Sequence, residues 1–394
     1  MKNLSIKRIV SASCAFVMAL SMVACGAQTP AEPAEEVTEA PAPEVEATIE
    51  TTEDTEAVAD GAVLELDGTR SLLTGETLDS SLVSQRVLAV MVENTKACLP
   101  HYNLDQAGIV MEAPAEGQIT RYMAIFDDWA DLTKIGNIRS CRTYYAQVAE
   151  EYDAIYVHWG QSPFAEPYLL ENYVDDLNAL SIAARSGYSA RAAASCFFRD
   201  PPGGNEHSGY TSGEKVTKAI ADKGYRTTYK DGFEPHWSFA ADGSKVTLDE
   251  GEDCVVFAPY YQNNKPYFIY NSEDGLYYRY EFGSAEKDGA SGNQYAVTNI
   301  VCEIAPDDYY QENGKNNPRG YLQFYLEGTG KGYYMTNGKK VDITWSKDNY
   351  TGRTKYFMAD GTELVLNQGK TWFCLMEPQY DDENGFYATE ADFH

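Results

Sequence analysis

Between about Gln85 and Thr228, short apolar runs alternate with stretches in which apolar residues recur at helical spacing. The segments RVLAVMVEN (86–94), GIVMEA (108–113), ITRYMAIF (119–126) and DAIYVHW (153–159) are rich in apolar, β-branched or aromatic residues and are bounded by turn residues. Buried strands read this way. Three helices are predicted among and after them. One covers Cys141–Tyr152. A second covers Pro163–Leu180, where Leu169, Leu170, Tyr173, Val174, Leu177 and Leu180 form an apolar stripe. The third runs from Thr211, whose hydroxyl caps while Glu214 returns the bond at capping-box spacing, to Gly224. Such alternation predicts an α/β domain over 69–236.

After Phe239 the helical spacing disappears. DCVVFAP, KPYFIYN, LYYRYEF, YAVTNIVCEI, YLQFYLE, KGYYMTNG, KKVDITWS, TKYFMADG, TELVLN and KTWFCLM are strand candidates joined by Asn-Gly, Asp-Gly and similar turns. Most of the 30 tyrosines suit this reading, because aromatic rings fit a pleated, half-buried surface. A mainly antiparallel β domain is predicted over 237–379. GTGKG at 328–332 lacks the spacing of a phosphate loop and reads as part of a hairpin.

The first 25 residues belong to neither domain. Lys2, Lys7 and Arg8 precede the apolar run Ile9–Val23, which is broken by serines and is too short for a membrane span. The tetrad Met22-Val23-Ala24-Cys25 has the form of a lipobox, so Cys25 is expected to be acylated and to hold the chain to the lipid bilayer on its extracytoplasmic face. Residues 26–68 form an acidic Pro/Glu/Thr/Ala linker. From Gly26 to Asp60 it has eleven acidic residues and no Lys or Arg, a composition that buries too little apolar surface to fold and predicts a disordered tether. Residues 380–394 read as an acidic tail.

The net charge of −29 argues against nucleic acid as a partner, since phosphate binding needs basic patches. Cys98, Cys141, Cys196, Cys254, Cys302 and Cys374 form no C-x-x-C pair, so a zinc or thioredoxin-type site has no support. Export permits disulfides, and buried free thiols are an equal reading if the organism is anaerobic. No cofactor and no metal are expected.

Against this acidity, the arginines of GNIRSCR (136–142) are conspicuous. Arg139 and Arg142 flank Ser140 where the 141–152 helix begins, and positive charge at a helix N-terminus is unfavourable by about 0.3–1 kcal/mol per exposed group. A negative partner reverses the sign. It is either internal, Glu112 or Glu116, or a phosphate, carboxylate or sulfate ligand gripped by the guanidinium forks. In YVHWGQSP, His158 falls at a strand's carboxyl end, Gly160 in the turn, and Ser162 at the cap before Pro163. Ligands of open α/β sheets bind beyond such strand ends. Arg121 opens a strand, and a long Pro/Gly loop carries Arg199, Asp200 and His207.

VMVEN…P (90–100), EGQITR (116–121), GNIRSCR, YVHWGQSP (156–163), FFRD (197–200) and HSGYTS (207–212) together resemble the YerB-like lipoproteins of Gram-positive bacteria, a family named for a domain of unknown function. GLYYRYEFG, KKVDITWSK and LNQGKTWF resemble its C-terminal domain, so the similarity runs over about residues 70–378. This chain departs from the pattern at Gln118, where a second Gly is usual, in the loop after Asp200, where an Arg is expected, and at Glu206-His207-Ser208, where Pro-His-Asn is usual. The resemblance implies an envelope lipoprotein with an α/β domain followed by a β domain, and no established reaction.

Three functions are therefore weighed. In the first, Arg121, Arg139, Arg142 and Arg199, with His158, line a pocket for the anionic group of an envelope polymer, a metabolite or a partner protein. In the second, a hydrolase or transferase acts on envelope material with His158 or His207 as general base and Asp200 or Glu116 as its partner. In the third, the tyrosine-rich β domain is a scaffold for other proteins.

Overall fold

The structure, a computed structural model, describes residues 62–171, 173–180 and 193–393. The export signal, Cys25 and the linker up to residue 61 lie outside the described residues.

The N-terminal domain is built on strands β1 (Leu88–Glu93), β2 (Ile109–Pro114), β3 (Thr120–Phe126), β4 (Ile155–His158) and β5 (Asp175–Asn178). They lie in the order β2-β3-β1-β4-β5, with β3 antiparallel to both its neighbours and β1, β4 and β5 parallel. Helices α1 (Thr143–Glu151), α2 (Glu166–Leu170) and α3 (Gly213–Lys223) accompany this mixed sheet. The reason the strands read as unbroken apolar runs is visible in β1. Ala89 and Met91 pack on one face with Tyr144, Tyr145 and Ala149 of α1, while Leu88, Val90 and Val92 pack on the other with Val216 and Ile220 of α3. A strand covered on both sides has no polar face to alternate with.

Two predicted helices are corrected. The stripe from Leu169 to Leu180 is not one helix: α2 ends at Leu170, and Asp175–Asn178 pairs with β4 as a strand. The spacing was misleading because Val174 and Leu177 are buried while Leu170, Tyr173 and Leu180 are exposed, so no single apolar face exists. The cap of α3 is Ser212, whose hydroxyl accepts from the Lys215 amide at 3.4 Å; Thr211 instead donates to the Cys196 carbonyl at 2.7 Å. Gly224 closes the helix in a left-handed conformation, φ 68°.

The C-terminal domain is mainly antiparallel. Strands β6 (Val256–Ala258), β7 (Tyr267–Asn271) and β8 (Leu276–Glu281) form a small sheet. The remaining long strands are β9 (Asn299–Ile304), β10 (Gly328–Thr336), β11 (Lys339–Lys347) and β12 (Thr371–Met376). GTGKG opens β10, which turns into β11 through Asn337-Gly338, both at positive φ (52° and 71°), as a tight hairpin requires. At Gly332 a Cβ would stand 2.0 Å from the Cys302 carbonyl oxygen, so this glycine serves close strand packing and no phosphate. The acidic C-terminal segment is no free tail. Gly385–Tyr387 forms β13 along the edge of β6, Phe386 stacks on Phe257 at 5.2 Å, and Asp381 accepts from Tyr333 Oη at 2.8 Å and pairs with Lys331. Its aromatic residues, hidden among acids in the sequence, supply the buried surface that holds it.

The two domains share one sheet. Strand β12 lies parallel to both β9 and β2, so the order continues β11-β10-β9-β12-β2-β3-β1-β4-β5 in a sheet of eleven strands among the described residues. A fully buried ion cluster crosses the same seam. Arg279 on β8 reaches Glu112 Oε2 on β2 at 3.0 Å and Glu286 Oε2 at 2.6 Å, lies 4.2 Å from the centre of the Trp372 ring, and donates to Tyr122 Oη at 2.9 Å. Glu112, foreseen as a partner for Arg139 or Arg142, is committed here. The six cysteines of the two domains are all buried free thiols.

Candidate functional site

The carboxyl ends of β1 and β4 lie side by side, and GNIRSCR is threaded between them. Its Arg139 amide donates to Met91 O at 3.0 Å, and Trp159 N donates to Arg139 O at 2.9 Å. One residue pair further on, Cys141 N donates to Gly160 O at 2.9 Å, and Ser162 N returns a bond to Cys141 O at 3.1 Å. This stitching fixes where every arginine of the segment emerges. Arg142 is the N-cap of α1 in extended conformation, two residues later than the sequence suggests.

Two carboxylates organise the guanidiniums. Glu116 takes a bidentate ion pair from Arg142 and lies 3.5 Å from Arg121 Nη2, while Arg121 Nη1 donates to the Ser140 carbonyl. Burial disfavours the charge on Glu116, yet Arg142, assisted by Arg121, holds its carboxyl below the ordinary range. The second carboxylate, Glu93 at the end of β1, lies 3.3 Å from Arg139 Nε and 2.8 Å from His207 Nδ1. Burial, followed by the neighbouring charge of Arg142, brings the Arg121 guanidinium down to about 10, with Glu116 opposing the fall. Arg199 lies on the Trp159 ring, 4.4 Å from its centre, and donates to the Asn205 carbonyl. Among the described residues it has no carboxylate partner.

Other expected site residues have different employment. His158 is fully buried, with Nδ1 2.7 Å from Gly160 O and Nε2 3.2 Å from Asp176 Oδ2, so both ring nitrogens are engaged. His207 is paired with Glu93 instead, its Nδ1 2.8 Å from Glu93 Oε1. Gly160 turns at φ 80° and donates to Asn178 Oδ1 at 2.9 Å. Ser162 Oγ accepts from the Ala165 amide at 3.1 Å, as a cap does; Ser140 Oγ donates to Trp159 O at 3.0 Å. Asp200 faces away to Lys134 Nζ at 2.7 Å. Among the described residues, no three His, Cys, Asp or Glu side chains form a group that could hold a metal ion.

The arrangement is therefore a basic cluster with two internal counter-charges. The sequence reading missed Glu93 and Trp159; the available signal for Glu93 was a carboxylate terminating an otherwise apolar strand. Arg139 and His207, each 28% exposed, and the half-buried Arg199 are the reachable members.

A mixed-sheet domain with helices, joined to a mainly antiparallel domain, defines a two-domain class that also includes a crystal structure of the YerB protein from Bacillus subtilis. The likeness has a TM-score of 0.63 at 27% identity and covers 78% of this chain and 96% of that one. The Bacillus subtilis (strain 168) protein named "Putative lipoprotein YerB" is 30% identical over 309 residues, which is 77% of this chain and 85% of the relative. The chain belongs to this family: residues 73–226 match the N-terminal domain, and residues 256–373 the C-terminal domain, of the protein of unknown function DUF3048. No helix among the described residues is long and apolar enough to cross a membrane.

Proposed function

We propose that the chain is a lipoprotein, acylated at Cys25 and displayed on the extracytoplasmic face of the membrane, that binds an anionic group at the Arg139–Arg199 side of the basic cluster. The observation supporting binding is a charge mismatch. Arg121 and Arg142 share Glu116, Arg139 pairs with Glu93, and Arg199, stacked on Trp159, has no carboxylate partner among the described residues, in a chain whose net charge is −29. Arg121 and Arg142 are tied down by Glu116 and supply field, whereas Arg139, beside Glu93, and Arg199, on the Trp159 ring, are partly exposed. A phosphate, sulfate or carboxylate placed there accepts from planar forks and restores the balance. The lipobox and the relative's name support the anchor.

The test is calorimetric titration of the full chain with inorganic phosphate and tripolyphosphate. Arg139→Ala with Arg199→Ala should weaken binding at least tenfold, and Arg199→Ala alone, which leaves no carboxylate unpaired, should weaken it while the melting temperature stays near native. Unaltered affinity in the double variant rejects the site. Arg142→Ala is a poorer probe, since it strands Glu116 and disturbs the fold.

A further inference from the structure

On the far side of the seam, a second site is built around Asp105. An open cleft of about 470 Å³ lies between the loop after Asn103, strands β2 and β12, and the edge of β8. Its lining includes Asp105, Gln106, Tyr278, Asn293, Gln294 and Lys370. Asp105 is 9% exposed. Its Oδ2 accepts from Ser291 Oγ at 2.6 Å and Asn293 Nδ2 at 3.2 Å, while Oδ1 is buried with no hydrogen-bond partner among the described residues. A buried carboxylate oxygen left without a donor is costly in a folded chain, and sites of this kind are completed by a ligand or ordered water.

The wall behind the carboxylate is preorganised. Asp288 accepts from the Leu104 amide at 2.8 Å and from Tyr295 Oη at 3.2 Å, and Gly289 N donates to His101 O at 2.6 Å, so the 288–293 turn is pinned to the 101–106 loop. Across the cleft, Tyr278 Oη donates to Asp274 Oδ2 at 2.7 Å, which steadies its ring as a flat apolar surface. Gln294 spends its Nε2 on the Arg279 carbonyl at 2.8 Å, leaving Oε1 as an acceptor.

The chemistry of the lining selects the ligand. Lys370 is tied to the Asp105 carbonyl, and with Glu76 and Asp105 both present the cleft repels anions. The lining offers carboxylates that accept, amide groups that can give and take, and the Tyr278 ring beside them. Hydroxyl groups satisfy such acceptors, and the C–H face of a sugar ring satisfies the aromatic one. We propose that this cleft binds a neutral pyranose ring, either as a free sugar or as a unit of an envelope glycan, its hydroxyls held by the Gln106, Asn293 and Gln294 amides and, after a small turn of its side chain, by Asp105 Oδ1. The cleft is independent of the arginine cluster, and its volume falls within the roughly 300–1,000 Å³ usual for small-molecule sites.

Calorimetric titration of the full chain with cellobiose and N,N′-diacetylchitobiose tests the idea, with N-acetylglucosamine as the single-ring probe and glucosamine and inorganic phosphate as charged controls. A neutral sugar should bind, and Asp105→Asn should weaken it at least tenfold. Tyr278→Ala and Gln106→Ala alter more exposed side chains and should also weaken it in a chain that melts like the native one. Arg139→Ala with Arg199→Ala should leave it unchanged. Tighter binding of the disaccharides than of the single ring assigns the site to a glycan chain; equal affinity assigns it to free sugar. No heat from any neutral sugar up to about 10 mM, a limit that would still register millimolar affinity, overturns the proposal. So does binding that survives all three cleft variants, or preferential binding of glucosamine.

Discussion

Glu303 on β9 shows how far burial moves a single group. Its Oε2 accepts from Tyr356 Oη at 2.6 Å, and burial pushes its carboxyl up to about 8, with Glu151 adding to the rise and Tyr356 and Lys347 opposing it. Between its ordinary 4.5 and about 8, the folded chain holds a proton that the unfolded chain has released. Stability therefore falls as pH rises through that window, by up to about 1.4 kcal/mol per pH unit for one group. Glu281 and Glu377, each raised to about 7 primarily by burial, act in the same direction. Urea unfolding of Glu303→Gln should show a shallower decline across this range than the native chain; parallel declines would contradict the assignment. At this scale the sequence announced the oddity of Arg139 and Arg142 but not how each is resolved. Charge and helix position are local properties, whereas the choice of Glu116 over Glu112 depends on Glu112 being buried against Arg279 while Glu116 stands in the turn after β2 beside Arg142.

Elements were most legible where periodicity and punctuation agreed. The four N-terminal strands and the strands of the β domain lie where apolar or alternating runs meet turn residues, and Asn337-Gly338 marks its hairpin outright. The 163–180 stripe failed because residues three and four apart share a helical face only if a helix exists. Here the Asp175–Asn178 backbone gains hydrogen bonds along β4 instead, with Asn178 and Asp176 serving Gly160 and His158. At α3 the capping-box spacing pointed one residue early, and the actual cap has its own signature. Ser212→Ala should cost about 1 kcal/mol in urea unfolding, the usual value of an N-cap hydroxyl. A loss below a few tenths of that would mean the 3.4 Å bond is not a working cap.

For the whole molecule, the decisive feature is the sheet that continues from one family domain into the other through β2 and β12. Unfolding should accordingly be one cooperative transition, coincident by circular dichroism and tryptophan fluorescence. Two separated transitions would show that the seam is weak. Arg279→Met should lower stability by roughly 3–5 kcal/mol, because it strands Glu112, Glu281 and Glu286 without their buried cation. By itself the sequence determined the α/β-then-β order, most of the strands, and the charge anomaly that points to a basic site, because side-chain period and turn chemistry act over a few residues. Only the tertiary structure decided that the two domains share a sheet, that the acidic C-terminus docks as a strand, that Glu93 and Glu116 answer the arginines, and that Asp105 faces a cleft. Each of those outcomes depends on register and burial between segments far apart in the chain, and local spacing carries no record of which distant partner will be opposite.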